Sequence, residues 1–364
     1  MFDFLSIKDY LSLYFNIVLF ITFLVLIQSF MSDLESRSNQ KFSDFVGYSL
    51  LVFSILFIGF RPVSGQYFGD MEHYNEMFRR VQLGEDMSFN KDYLFNYLVS
   101  YSAKIMSADY FFVLVDFIYI IPIYIFSKKY FGNYWFLGLL AYVTSFSFFT
   151  YGTNGLRNGI GTSLFILGLA YFDKKIIMYI IFAIAFGFHS SIVIPIAAYI
   201  VTLFIKNPKN YFYIWLACIP LSLLAGTFFH ELFGGLGFED NRIDDYLNKK
   251  IEGEEMVESR FRWDFLLYSF SAIAIAYYYI IKRRFKDSFY DTLFGIYAIG
   301  NAFWILVIRA NFTNRFAYLS WFLLPAIIIY PLLKVKFFEG QYRIISIMIF
   351  LFYLFTYFMY IITM

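Results

Sequence analysis

The chain has 364 residues, 60% hydrophobic and only 15% charged, with a mean hydropathy of +0.62. Lys and Arg number 29 against 27 Asp and Glu, a net charge of +2 that gives no basis for nucleic-acid binding. Apolar runs of about 18 residues or more follow one another between short charged loops. That excludes a soluble domain with one core and predicts an all-α, polytopic membrane protein. The abundant Phe and Tyr suit lipid-facing surfaces and interfacial belts. The sole cysteine, Cys218, lies within an apolar run, so no intrachain disulfide is expected. The first apolar run lacks a basic flank and a small-residue cleavage site, so no cleavable signal peptide is evident.

Spans are predicted at Tyr10–Phe30 and Phe42–Phe60. A charged stretch follows, Arg61–Asp92. Tyr93–Met106 is apolar but short, and reads as a re-entrant or interfacial helix. Further spans are predicted at Tyr110–Ser127, Phe131–Tyr151, Leu156–Phe172, Ile176–Phe188, Ile192–Ile205 and Tyr211–Phe228. A second long polar loop, Phe229–Arg262, contains DNRIDDYLNKKIEGEEM, which reads as an amphipathic cover over the adjoining membrane face. The last spans are Trp263–Ile281, Phe289–Ile308, Phe316–Leu333 and Ile344–Met364. The total is about twelve crossings in one transmembrane domain over residues 1–364, with polar loops at 61–92 and 229–262. Pro122, Pro195, Pro220 and Pro325 fall inside spans and predict kinks.

Orientation follows from the short loops. Lys128-Lys129, Lys174-Lys175, Lys206 with Lys209, Lys282 to Lys286, and Lys334 with Lys336 all fall on one side. The positive-inside rule makes that side cytoplasmic, and both long polar loops lie outside.

Against that frame, six arginines sit where topology does not ask for cations: Arg61, Arg157, Arg260, Arg262, Arg309 and Arg315. The cytoplasmic short loops use mostly lysine instead. A guanidinium makes forked contacts with phosphate and stays charged in a dry cavity, so an outer arginine cluster suits a lipid diphosphate. Arg157 stands out in TYGTNGLRNGIG, framed by Gly152, Gly155, Gly159 and Gly161, which allow close approach to the backbone. The plainer reading is a tight turn with a snorkelling arginine. His189, in FGFHSSIVIP, is a candidate for moving a proton or bonding a sugar hydroxyl; the alternative is a histidine holding the turn. Asp70, after Gly69 and before Tyr74, is a candidate base in competition with Glu72, Glu76, Glu85 and Asp86. The scattered histidines lack metal-ligand spacing, so no metal is expected.

These pieces, in this order, resemble the EpsG-type branch of the Wzy polysaccharide polymerases. The matching residues are Arg61, Gly69-Asp70 and Tyr74; Gly155-Leu-Arg157-Asn-Gly159; Phe188-His189-Ser190-Ser191; Arg260, Arg262 and Asp264; and Asn314-Arg315-Phe-Ala-Tyr318. The resemblance covers about Phe45 to Pro325. Asn158 stands where glutamine or a similar amide is expected, and Phe68 precedes Gly69-Asp70 where a small or hydroxyl residue often separates glycine from aspartate. The resemblance implies a GT-C-like glycosyltransferase of the bacterial inner membrane. It would polymerise O-antigen or capsule repeat units at the periplasmic face, transferring the growing chain from undecaprenyl diphosphate to a lipid-linked repeat unit. It implies no cofactor and no nucleotide sugar, and partners that are the two lipid-linked oligosaccharides, membrane lipid and a chain-length regulator. Arg157, Asp70 and His189 would then be catalytic. Arg61, Arg260, Arg262, Arg309, Arg315, Tyr74 and Tyr318 would bind substrate. Arg157 would hold the diphosphate with Arg309 or Arg315. A lipid-linked oligosaccharide flippase is the alternative from another class, though it would carry cations deeper and on both leaflets. An O-antigen ligase would share the donor chemistry.

Overall fold

The computed structural model describes residues 5–87, 91–234, 261–310 and 313–363. Every regular element among them is helical. The chain forms two compact units, Met1–Ile192 with Ile329–Met364, and Val193–Ile328.

In the first unit, α1 (Ile7–Met31) and α2 (Arg37–Gly59) each begin on a serine, Ser6 and Ser36, whose hydroxyl accepts from the backbone N–H of Asp9 and Asn39. The polar stretch that follows is largely structured. It forms α3 (Gly65–Phe68) and α4 (Met71–Gln82). Met71, Tyr74, Asn75 and Phe78 recur at helical spacing and are buried, while the charged residues of α4 face outward. The short helix α5 (Tyr93–Ser102) has 10 residues. Its length of about 15 Å is half a hydrocarbon core, so it does not cross alone.

Next come α6 (Ala108–Phe131), α7 (Trp135–Val143), α8 (Phe146–Thr153), α9 (Leu156–Ala170) and α10 (Lys175–Phe188). The predicted span Phe131–Tyr151 is not one continuous helix: it stops at Val143 and restarts at Phe146. Thr144 and Ser145, both buried, donate their hydroxyls to the carbonyls of Ala141 and Tyr142, which supports the break. α9 packs on α6 and α10, and α2 on α6.

The second unit holds α11 (Val193–Phe204), α12 (Pro208–Gly234), α13 (Trp263–Tyr277), α14 (Ser288–Leu306) and α15 (Thr313–Trp321). α14 packs against α11, α12 and α15. At its centre, buried Asn301 accepts from Trp215 Nε1 and donates to the hydroxyls of Ser269 and Ser320, so a polar side chain inside the unit is fully partnered. α16 (Leu324–Lys334) then leads to α17 (Gln341–Thr363), which lies against α1.

Among the described residues, six helical segments are long and apolar enough to cross a membrane: Ile7–Met31, Arg37–Gly59, Ala108–Val143, Trp263–Lys282, Thr313–Lys334 and Gln341–Ile362. Shorter apolar segments among the same residues are Leu156–Ala170, Lys175–Phe188 and Ser190–Phe204. The protein is therefore an all-helical membrane protein of several crossings. The two ends of the first unit differ in kind. At one end Lys129 lies 4.3 Å over the Tyr171 ring, and Lys334 lies 5.4 Å from the rings of Tyr130 and Tyr330. Tyr130 in turn donates to the Leu169 carbonyl at the close of α9. The lysines thus gather at the C-terminal end of α9, and Arg157 stands at its N-terminal end, about 20 Å away by helix rise.

Candidate functional site

Arg157 occupies the first turn of α9, where the helix dipole disfavours a cation. An acid must offset it, and that acid is Asp92. Asp92 immediately precedes α5 in a left-handed backbone conformation, φ 50° and ψ 41°, which Asp tolerates better than most residues. Its carboxylate does not cap its own helix. One oxygen, Oδ2, accepts from Arg157 Nη1 at 2.7 Å and from His189 Nδ1 at 3.0 Å. The other, Oδ1, accepts from the Ser190 backbone N–H at 3.0 Å. Tyr74 OH lies 3.3 Å from Arg157 Nε. The Asp92 side chain is 3% exposed, whereas Arg157 and His189 are each 18% exposed. The anion is the buried anchor and the two basic groups reach the surface.

Burial works against the ionised Asp92 carboxylate. The His189 hydrogen bond and charge, the Arg157 charge and the Ser190 N–H outweigh it and hold its pKa below the ordinary 3.8. A carboxylate only accepts, so Nδ1 of His189 carries a proton, and whenever the ring is neutral Nε2 is its basic nitrogen.

The turn around Arg157 is tightly built. A Cβ on Gly159 would lie 2.7 Å from the Tyr151 carbonyl, so α8 and α9 meet backbone to backbone there. Asn158 accepts from the Ser191 hydroxyl at 2.8 Å. Adjacent residues thus engage both partners: Arg157 holds Asp92 and Asn158 holds the segment after His189. Gly69 has φ 53°, and a Cβ there would fall 2.5 Å from Asn154 Oδ1. The same oxygen accepts from the Asp70 backbone N–H at 2.8 Å. Half-buried Asp70 is therefore pinned to the α8–α9 turn three residues before Arg157.

Other expected site residues lie elsewhere. Arg61 is inside the helix packing: Nη1 donates to Asp116 Oδ2 at 2.9 Å and to the Ile58 carbonyl at 2.7 Å. Its Nη2 donates to the Thr153 carbonyl at 3.3 Å, and both members of the ion pair are fully buried. It ties α2 and α6 to the end of α8 and presents no surface to a substrate. In the second unit, Arg262 forms a forked pair with Asp264, at 3.0 and 2.7 Å, beside the Phe265 ring. Tyr318 is buried with its ring 5.5 Å from Trp321. Arg309 and Arg315 are half-buried, between α14 and the first turn of α15. Arg260 and DNRIDDYLNKKIEGEEM lie outside the described residues.

Two acids that matter here went unnoticed in the sequence. Asp116 stands alone among apolar residues within a predicted span, which is itself a signal. Asp92 carries no such mark, being one acid of several at the end of a charged stretch.

A multi-pass helical membrane protein that holds an arginine and a histidine on one buried carboxylate, beside the turn between α8 and α9, is the class that fold and site define. A sequence profile of the EpsG family matches residues 44–364, nearly the whole chain. The protein belongs to the EpsG family. No curated protein and no solved structure matches it.

Proposed function

We propose that this protein is a polysaccharide polymerase of the bacterial inner membrane, a GT-C-like glycosyltransferase with about twelve crossings. It transfers a growing glycan from undecaprenyl diphosphate to a lipid-linked repeat unit at the periplasmic face. The observation that carries this reading is the Arg157–Asp92–His189 cluster in an EpsG-family chain. It offers a cation for an anionic leaving group beside an imidazole oriented as a base.

The acceptor hydroxyl gives its proton to the base, and its oxygen bonds to the anomeric carbon of the donor. The bond from that carbon to the diphosphate oxygen breaks, and undecaprenyl diphosphate departs. His189 Nε2 is the base in this scheme, with Asp70 the competing group. Arg157 meets the charge that develops on the diphosphate. Tyr74 positions Arg157 through its hydroxyl. The binding roles of Arg260, Arg262, Arg309 and Arg315 rest on their places in the sequence. A chain-length regulator is the expected protein partner.

The test is purified protein with undecaprenyl-diphosphate-linked repeat units, without nucleotide, its products run on a gel. A ladder of lengthening glycans supports the reading. Intact carrier moved across a liposome bilayer, without a ladder, identifies a flippase. Transfer to a lipid A core acceptor alone identifies a ligase.

A further inference from the structure

A cleft of about 370 Å³ opens in the first unit, apart from the Arg157 cluster. Its walls are the start of α1, helix α3, one face of α8 and the last turns of α17. We propose that this cleft binds a saccharide ring of the lipid-linked glycan, an inference that rests on the polymerase reading and assigns its sugar subsite.

The lining is of two kinds. Phe15, Phe146 and Phe149 supply an aromatic wall, with the Phe149 ring 5.3 Å from Phe15. Gln66, Thr150 and Asn154 supply amides and a hydroxyl. The Gln66 and Thr150 side chains make no hydrogen bond within the described chain, and Asn154 spends its oxygen on the Asp70 N–H and keeps its Nδ2 donors. A hydrocarbon tail laid here would cover those donors and acceptors without meeting them. A pyranose meets both demands: its C–H face lies on aromatic rings and its hydroxyls pair with the amides. The volume falls within the range of small-molecule sites, which combine apolar walls with a few placed polar groups.

The position agrees with the chemistry. Asn154 lines the cleft, bonds Asp70 and stands three residues before Arg157. Thr153, also in the lining, is anchored through its carbonyl by the buried Arg61. The wall is thus rigidly tied to α2 and α6, which gives the Arg61–Asp116 pair a purpose in holding the cleft open.

The probe is the repeat-unit oligosaccharide released from its carrier by mild acid, titrated against purified protein by saturation-transfer NMR. Undecaprenyl phosphate, which lacks sugar, is the lipid control. Thr150→Trp fills the cleft and is expected to weaken oligosaccharide binding by about tenfold or more. Gln66→Ala removes an exposed amide and is expected to weaken it about threefold, so the test holds even where the tryptophan variant fails to fold. Undecaprenyl phosphate binding stays as in wild type. Oligosaccharide binding that ignores Gln66→Ala and Thr150→Trp overturns the proposal, as does a loss confined to undecaprenyl phosphate, which would make the cleft a tail site. A protein that builds no ladder yet shows this variant dependence removes the polymerase reading and keeps the cleft. A ladder-building protein whose oligosaccharide binding ignores both variants removes the cleft alone.

Discussion

Asp92→Asn tests the cluster with the least disturbance. Asparagine has nearly the same shape and tolerates the left-handed backbone at φ 50°, so no strain is added. It cannot satisfy the site. With its oxygen toward Arg157 and His189, its NH2 faces the Ser190 N–H; turned over, its NH2 faces two donors. Either way a charged acceptor is lost from a position 3% exposed. Hydrogen bonds to charged groups contribute about 1.5–3 kcal/mol each, so the variant should lose about that much stability. Displacing the arginine and the imidazole by an ångström should lower chain lengthening by about a hundredfold. The assay is the rate of ladder growth at saturating donor, with thermal unfolding followed in parallel. Asp92→Glu, which restores the charge one methylene further out, should recover part of the rate. The carboxylate is held below its ordinary pKa of 3.8 by its partners, so its stabilising contribution is complete above that value and is lost as pH falls through the lower folded value. Through the Asp92 carboxylate itself, the stability gap between wild type and Asp92→Asn should close below about pH 4. Wild-type ladder growth by Asp92→Asn, or a gap that persists unchanged as pH falls well below about 4, would refute the anchoring role.

Arg157→Lys keeps the charge but cannot reach both Tyr74 OH and Asp92, so a large loss of ladder growth is expected at normal protein level; near-normal activity would make Arg157 a turn residue. Asp116→Asn leaves a fully buried guanidinium without its counter-charge and should destabilise the protein by about 3–5 kcal/mol, seen as low membrane yield, while Arg61→Leu with Asp116→Leu should recover much of it. Reporters fused after Lys175 and after Lys286 should both give the cytoplasmic signal; a periplasmic signal at either would invert the assignment of faces.

Helical class, family and the special place of Arg157 were legible in the sequence because each is written locally. Apolar runs mark membrane helices, and Gly155 and Gly159 on either side of Arg157 mark the close approach of α8 and α9. His189 was legible for the same reason, as a polar group where two apolar segments join. Asp92 was not, because its meaning lies in contacts 65 and 97 residues away. Nothing around it distinguishes it from Glu85 or Asp86. Hydropathy also passed over the break at Thr144 and Ser145, since two hydroxyls bonded to their own helix barely change a window average.

Arg61 and Arg157 show what position along the chain leaves undecided. Both stand at the end of an apolar run on the same side, and by sequence they are equivalent. The partner acid separates them. Asp116 lies within a span, so it draws Arg61 inward until both side chains are fully buried, and no ligand reaches that guanidinium unless the packing opens. Asp92 lies outside a span, so it holds Arg157 at the rim with 18% of the side chain exposed. The first pair supports the Thr153 wall and the second faces outward a few residues on. A cation at the edge of a membrane helix is thus assigned to scaffold or to site by the depth of its carboxylate, and an acid inside a neighbouring apolar run is the sequence sign that it belongs to the scaffold.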